Sequence, residues 1–267
     1  TAVGKTAASI GLAKAVGGEI ISADSMQVYK EMDIGSAKIT PEEMEGVPHH
    51  LVDVLEPEEE FNVVRFQELA KEAMKGIYER GHIPIVVGGT GFYIQALLYD
   101  IDFTENETDH TYRKELEQLA EEKGEEYLHK LLQEADPESA GQIHCHNVKR
   151  VIRALEFYHL SGKRISEHNE KEREKTSPYH FAYFVLTDER PHLYANIDKR
   201  VDLMIEQGLV DEVQKLKNMG FHRDMVSMQG LGYKEILDYL DGKTTLEEAI
   251  YIIKRETRHF AKRQLTW

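Results

Sequence analysis

The protein has 267 residues, 41% of them hydrophobic and 30% charged, with a formal net charge of −15. This length accommodates one large α/β domain or a core with a smaller insertion, and the acidic balance argues against broad, non-specific nucleic-acid binding. No apolar run approaches the roughly 18 residues of a membrane span. A single cysteine, Cys145, excludes an internal disulfide framework and fits a reducing cytosol, so we expect a cytoplasmic protein.

The first six residues, Thr1-Ala2-Val3-Gly4-Lys5-Thr6, match the second half of a G-x-x-x-x-G-K-[ST] phosphate-binding loop. In such a loop, backbone N–H groups and a helix N-terminus surround a phosphate, and the lysine neutralises its charge. The threonine hydroxyl ligates Mg²⁺. We therefore predict that residues 1–6 bind phosphate and that Thr6 is a Mg²⁺ ligand. The leading glycine and the strand before it are absent, so we expect the given sequence to begin inside the motif.

Strands and helices alternate after this loop. Four segments are apolar throughout, as buried parallel strands are: residues 19–23, 50–55, 83–87 and 181–187. A helical pattern at 6–16 precedes the first of them, and another at 63–80 lies between the second and the third. This order predicts an α/β fold, a P-loop core with a parallel sheet covered by helices.

The alternation stops in the middle of the chain. The stretch at 104–179 has no convincing strand, carries many charges and shows helical patterns at 111–134 and 147–161, followed by a polar linker at 166–178. We predict a helical insertion domain there, with residues 1–103 and 180–267 forming the catalytic core. From Pro191 onward the chain is predicted to be helical again.

Three elements should meet at the carboxyl ends of the parallel strands, where such sheets bind ligands. They are the loop, Asp24 with Ser25, and Gly88-Gly89-Thr90-Gly91. A carboxylate at Asp24 can be a metal ligand or a general base, or it can cap the next turn. An ordinary P-loop NTPase has an acidic Mg²⁺ ligand where this chain has Gly-Gly-Thr. That difference favours a site that binds a diphosphate leaving group over one that binds a phosphoryl donor.

Several sequence blocks resemble the tRNA dimethylallyltransferase family. They follow the family order over essentially the whole chain: Ile21-Ser22-Ala23-Asp24-Ser25-Met26-Gln27-Val28-Tyr29-Lys30, Met32-Asp33-Ile34-Gly35-Ser36-Ala37-Lys38, Pro48-His49-His50, Gly88-Gly89-Thr90-Gly91-Phe92-Tyr93, Gly230-Leu231-Gly232-Tyr233-Lys234-Glu235 and Lys262-Arg263-Gln264-Leu265-Thr266-Trp267. The insertion also lies where the family has its anticodon-stem-binding domain.

The resemblance implies transfer of a dimethylallyl group from its diphosphate to N6 of the adenosine just 3′ of the anticodon, in tRNAs that read codons beginning with U. Asp24 would accept the proton of the adenine amine. The loop amides, Lys5, Thr90 and a Mg²⁺ at Thr6 would stabilise the leaving diphosphate. Arg113 matches a family position near the reacting groups, and Arg200 is a further candidate for diphosphate contact.

The resemblance also implies a tRNA surface around the extruded base. The predicted tRNA-binding residues are Asp24, Ser25, Met26, Gln27, Thr90, Arg113, Lys149, Arg150, Val151, Ile152, Arg153, Gly230, Leu231, Gly232, Tyr233, Lys234, Glu235, Arg258, Lys262 and Arg263. Basic residues repeat every four positions in the last helix, at Lys254, Arg258 and Lys262, and would form one face toward phosphates.

Three alternatives share some of these features. A P-loop small-molecule kinase would use the same cradle and Mg²⁺ but would turn over ATP. An adenylate isopentenyltransferase would use the same donor with a free nucleotide as acceptor. A non-catalytic RNA-binding module would use the cradle only for backbone phosphate and has no need of Asp24. Nothing in the sequence requires more than a monomer.

Overall fold

The computed structural model describes residues 2–103 and 111–265. The chain packs as two compact units, one formed by residues 1–98 and 180–267 and the other by residues 99–179. The second unit therefore begins before residue 104, the predicted start of the insertion. Among the described residues, no helix has the length and apolar content needed to cross a membrane.

The first unit is built around a small parallel sheet. Its strands are β1 Gly18–Ala23, β2 His49–His50 and β3 Ile83–Gly88, in the order β2-β1-β3. Every residue of β1 is buried, which fits the apolar side chains of Ile20, Ile21 and Ala23. The predicted strand at 50–55 is wrong beyond His50, because Leu51 and Asp53 have φ angles of 62° and 58° that an extended strand does not allow.

Helices pack on this sheet and on one another. The helices of the first unit are α1 Lys5–Val16, α2 Val63–Glu79, α3 Gly91–Leu98, α9 Arg190–Glu206, α10 Leu209–Asn218, α11 Tyr233–Leu240 and α12 Leu246–Gln264, with a 3₁₀ turn at Ser227–Gln229. Ile10 and Ala13 of α1 pack in one apolar cluster with Ile20 of β1. The expected P-loop-like α/β core is therefore present.

The predicted strand at 181–187 is not formed. Residues 181–187 form no strand, and Phe184 and Val185 are 73% and 64% exposed. A strand needs a neighbouring strand for its backbone N–H and C=O groups. The described sheet contains only β1, β2 and β3, so apolar composition alone does not make this segment a strand.

Glu19, near the start of β1, is a buried carboxylate that joins three parts of the first unit. It accepts hydrogen bonds from Arg80 at 2.8 and 2.7 Å, and it is 2.7 Å from a ring nitrogen of both His50 and His82. The Arg80 hydrogen bonds hold the pKa of Glu19 below its ordinary value of 4.5 against the opposing effect of burial, and the two histidines add to the lowering. This carboxylate lies at the end of β1 opposite to Asp24.

The second unit is helical. Its helices are α4 Thr111–Lys123, α5 Glu125–Ala135, α6 Pro137–Gln142, α7 Val148–Ser161 and α8 Ile165–Arg173. The predicted helix at 111–134 is divided at Gly124, whose φ of 84° and ψ of 159° interrupt it. The predicted linker at 166–178 is mostly helix α8. Buried Asp136 anchors that helix by accepting hydrogen bonds from the Ser166 backbone N–H and hydroxyl at 3.0 and 2.7 Å.

Candidate active site

The phosphate-binding loop leads directly into α1. Gly4 is the N-cap in the left-handed conformation, with φ 77° and ψ 22°, and no side chain caps the first turn. The amides at the start of α1 are therefore left for a ligand, and the helix dipole favours an anion there. Lys5 is half-buried, Thr6 is exposed, and Lys5 has no ion-pair partner among the described residues. Thr1 lies outside the described residues.

Apolar packing fixes the position of this loop. Ala2 and Val3 pack against a cluster of Leu193 and Ile197 from α9 and Ala261 from α12. Their contribution is therefore to anchor the loop, while the groups that can face phosphate oxygens begin at Gly4.

Asp24 follows β1 and performs the capping role that was one of its predicted alternatives. Its Oδ1 accepts a hydrogen bond from the backbone N–H of Met26 at 2.9 Å and lies 3.4 Å from that of Gln27. This Asx-type turn orients the carboxylate. Oδ2 has no hydrogen-bond partner among the described residues, so the same side chain retains an oxygen that can accept a proton. Ser25 and Met26 are half-buried in the same turn.

Thr90 leaves β3 beside Asp24, as predicted. β1 and β3 are parallel and paired from Gly18↔Ile83 to Ala23↔Gly88, and the Thr90 N–H donates to the Ala23 carbonyl at 3.4 Å. A Cβ at Gly88 would clash with the Ala23 backbone, so the close approach of the two strand ends requires glycine there. Gln264 at the end of α12 donates to the Gly89 carbonyl at 2.9 Å.

Arg200 on α9 lies within electrostatic reach of Asp24. Burial lowers the pKa of Arg200, and the negative charges of Asp24 and Glu43 oppose that effect. The guanidinium forms no ion pair with any described residue. A half-buried and unpaired arginine near the carboxyl end of β1 is suited to binding an anionic ligand.

Tyr93 is a buried neighbour of Asp24 that the sequence did not predict. Its ring stacks on Phe66 with a centroid distance of 4.8 Å, and it meets Phe61 edge-on at 5.7 Å. Burial raises the pKa of Tyr93, and the neighbouring Tyr29 and Asp24 raise it further. Its place three residues after Thr90, in the first turn of α3, was the signal available in the sequence.

The Gly230–Glu235 block has a structural role, because its buried side chains hold neighbouring elements in place. Tyr233 is fully buried, and its hydroxyl donates to Glu212 at 2.8 Å and accepts from the Ser36 N–H at 3.1 Å. Buried Glu235 caps α11 by accepting from the Gly232 N–H at 2.9 Å, and burial raises the pKa of Glu235. Leu231 and Lys234 are half-buried. Direct tRNA contact by Tyr233 or Glu235 is therefore not supported.

The predicted basic face of α12 is largely neutralised. Arg258 pairs with Asp198 at 2.6 Å and Lys254 with Asp202 at 2.6 Å, so both are held by acids of α9. Beyond them, Lys262 and Arg263 are exposed. The basic surface expected along this helix is thus confined to its last turn.

The second unit holds the remaining predicted residues. Arg113 forms a bidentate ion pair with Glu156 at 2.9 and 2.6 Å. On α7, Lys149, Arg150 and Arg153 are exposed, as expected for phosphate contact. Val151 and Ile152, in contrast, are 0% and 4% exposed in the core of this unit, so they position the helix and cannot contact tRNA through their side chains.

Comparison with known proteins agrees with these features. The family model "IPP transferase" matches residues 27–267. A tRNA dimethylallyltransferase of Lachnoclostridium phytofermentans is 63% identical over 267 residues, covering 100% of this chain and 85% of that protein.

Solved structures give the same result. The full-length tRNA isopentenylpyrophosphate transferase of Bacillus halodurans is 50% identical with a TM-score of 0.73, covering 100% of this chain and 83% of that one. A eukaryotic dimethylallyltransferase acting on tRNA is 33% identical with a TM-score of 0.83, covering 99% of this chain and 67% of that one. On these similarities, the chain belongs to the IPP transferase family, that of the tRNA dimethylallyltransferases.

Proposed function

We propose that this protein is a transferase that moves a dimethylallyl group from dimethylallyl diphosphate to tRNA. The acceptor is N6 of the adenosine 3′-adjacent to the anticodon in tRNAs that read UNN codons, and diphosphate is released. The observation that carries the proposal is the meeting of Asp24 and Thr90 at paired strand ends, within electrostatic reach of unpaired Arg200. The 63% identical tRNA dimethylallyltransferase supports the same reaction.

In this reaction the adenine N6 forms a bond with C1 of the dimethylallyl group while the C1–O bond to diphosphate breaks. Oδ2 of Asp24 takes the proton that N6 loses, and Oδ1 keeps the carboxylate oriented through the Met26 N–H. The α1 amides, Lys5, Thr90 and Arg200 stabilise the negative charge that grows on the departing diphosphate. Arg113 is the remaining predicted catalytic group.

Mg²⁺ is the proposed cofactor. Thr6 offers an exposed hydroxyl in the first turn of α1, and a single protein oxygen suits an ion that usually keeps waters and substrate phosphate oxygens as its other ligands. When bound, it would neutralise diphosphate charge. The loop type also permits a nucleotide such as ATP, which we treat as a competitor for the cradle.

We propose that each unit has tRNA-binding residues of its own. Asp24, Ser25, Met26 and Gln27 contact the extruded adenosine on one side. The exposed Lys149, Arg150 and Arg153 of α7 contact the anticodon stem, and Lys262 and Arg263 add phosphate contacts. We propose that the enzyme acts on tRNA in the cytoplasm as a monomer.

The test compares two prenyl acceptors, and checks for ATP turnover, with the full-length protein. It is incubated with Mg²⁺, dimethylallyl diphosphate and either an unmodified anticodon stem-loop or AMP, and prenylation is followed by mass. A parallel incubation with Mg²⁺ and ATP is followed for ADP. We expect product from the stem-loop and none from AMP. Product from AMP would indicate an adenylate isopentenyltransferase, and ADP release from ATP without prenylation would indicate a kinase.

A further inference from the structure

Glu212, in the first turn of α10, gathers four donors on one carboxylate. Its Oε2 accepts hydrogen bonds from the backbone N–H groups of Asp33 and Ile34 at 2.9 and 2.7 Å. Its Oε1 accepts from the Gly35 N–H at 3.1 Å and the Tyr233 hydroxyl at 2.8 Å. The two carboxylate oxygens can accept all four bonds. A glutamine side chain has one oxygen, and its NH₂ group would face two of the four donors without accepting from them.

The loop at residues 33–37, which we call the clamped loop, fits around Tyr233 as well. The Ser36 N–H donates to the Tyr233 hydroxyl at 3.1 Å. A Cβ added at Gly35 would lie 2.6 Å from Cζ of the same ring. Glycine at this position therefore lets the backbone lie against the ring, and the loop has little freedom to shift.

Gln27 connects the clamped loop to the turn at residues 24–27, which we call the acceptor turn. Its Nε2 donates to the Ala37 carbonyl at 2.9 Å and lies 3.5 Å from that of Ser36. Its backbone N–H lies 3.4 Å from Asp24 Oδ1. Hydrogen bonds and the backbone of the clamped loop thus connect Glu212, through Gln27, to the oxygen that orients Asp24.

We infer that Glu212 is a positioning residue for the acceptor side of the reaction. It holds the clamped loop, and through Gln27 it fixes the acceptor turn where the extruded adenosine meets Asp24. This inference rests on the proposed function. The donor cradle at Gly4, Lys5 and Thr6 has no hydrogen bond to this series among the described residues, so Glu212 affects the acceptor and not the donor.

The test uses Glu212→Gln in the full-length enzyme, with KM and kcat measured separately for stem-loop and dimethylallyl diphosphate. We expect kcat/KM for the stem-loop to fall about 10- to 100-fold, since small displacements of a reacting group have effects of this size. The KM for dimethylallyl diphosphate should stay within about twofold, because the cradle is untouched. Equal losses on donor and acceptor would overturn the inference, as would unchanged stem-loop kinetics.

Two controls separate positioning from loss of stability. Glu206→Gln removes an exposed carboxylate of α9 that has no partner among the described residues, and it should behave as wild type. Ile236→Val truncates a fully buried side chain of α11, at a cost of about 1 kcal/mol, and removes none of the hydrogen bonds of Glu212. If Ile236→Val lowers stem-loop kcat/KM as much as Glu212→Gln at equal loss of Tm, the effect is one of stability.

A second variant tests the inference if Glu212→Gln does not fold. Tyr233→Phe keeps the ring against Gly35 and removes only the hydroxyl, so it should give a smaller acceptor-specific loss. In the double variant the combined loss should be less than the product of the two single losses, because both act on one network. A full product would mean that the two residues act independently, which contradicts the inference.

Backbone amide exchange gives a readout that needs no activity. In Glu212→Gln the N–H groups of Met26 and Gln27 should exchange faster, although neither contacts Glu212. Unchanged exchange there overturns the inference even if wild-type enzyme transfers no prenyl group. Absence of wild-type transfer with faster exchange at these amides would instead refute the proposed reaction alone.

Discussion

Replacing Asp24 with asparagine separates the two tasks of this carboxylate. Asparagine keeps an Oδ1 of the same reach, so the bonds from the Met26 and Gln27 N–H groups, at 2.9 and 3.4 Å, are retained. The second oxygen becomes an NH₂ group, which cannot accept the proton of the adenine amine. The acceptor turn should therefore keep its shape while general-base catalysis is lost.

The expected magnitudes follow from these contacts. A positioned general base contributes about 10²- to 10⁴-fold, so kcat of Asp24→Asn should fall within that range with little change in stem-loop affinity. Asp24→Ala should lose the same activity and also the hydrogen bonds that close the turn. That loss costs about 1 kcal/mol, or about 2–4 °C in Tm for a chain approaching this size.

Single-turnover prenylation of the stem-loop, with enzyme in excess, measures the chemical step, and calorimetry measures Tm. Glu117→Gln is a matched control because it removes one negative charge from an exposed position on α4; it should leave both quantities unchanged. If Asp24→Asn keeps kcat within tenfold of wild type while Asp24→Ala loses it, the turn-closing bonds are the function of Asp24. The base assignment would then be refuted.

Three further predictions concern other parts of the molecule. Because the folded pKa of Glu19 is depressed, its contribution to stability is complete above its ordinary pKa of 4.5 and is lost as the pH falls toward the folded pKa. Glu19→Gln should cost about 2 kcal/mol at neutral pH and flatten the decline of Tm in acid. An equally steep decline would contradict this. A Cβ at Gly230 would lie 2.5 Å from Met26 Cε. Gly230→Ala should therefore displace that flexible side chain and raise the KM for stem-loop but not for the prenyl donor. Equal KM changes would argue for a general packing defect. Lys149→Ala should weaken stem-loop binding and reduce the slope of log affinity against log salt concentration by about 1. Lys130→Ala, an equal charge change at an exposed site of α5, should leave affinity and slope unchanged. Equal slopes in the two variants would place the tRNA elsewhere.

The apolar sequences of β1 and β3 predicted both strands, although only β1 is fully buried and β3 is an edge strand with half-buried and exposed residues. β1 and β3 agree with the apolar segments to within a residue at each end. The segments at 50–55 and 181–187 are equally apolar, yet the first is interrupted by Leu51 and Asp53 at positive φ and the second is largely exposed. Pairing depends on which strand lies alongside, and that information is not local to a segment.

For charged residues, too, the local sequence predicts position along a helix but not the partner in the folded protein. The four-residue spacing of Lys254, Arg258 and Lys262 correctly places them along α12, but it contains no information about Asp202 and Asp198 of α9, which neutralise the first two. On α7, Lys149, Arg150 and Arg153 are exposed, whereas Val151 and Ile152, predicted with them to bind tRNA, are buried. Helical spacing assigns a face to a side chain, whereas its partner comes from tertiary packing.

The two sides of the proposed reaction therefore differ in how the sequence encodes them. The donor cradle is local: Gly4, Lys5 and Thr6 are consecutive, and the helix that follows supplies the amides. The acceptor turn is not, since Asp24 depends on a loop that is held by Glu212 and Tyr233 from distant helices. Variation in the region from α10 to α11 should consequently change how the acceptor is held while leaving the prenyl donor bound as before, which gives the enzyme a route to alter tRNA preference at constant donor chemistry.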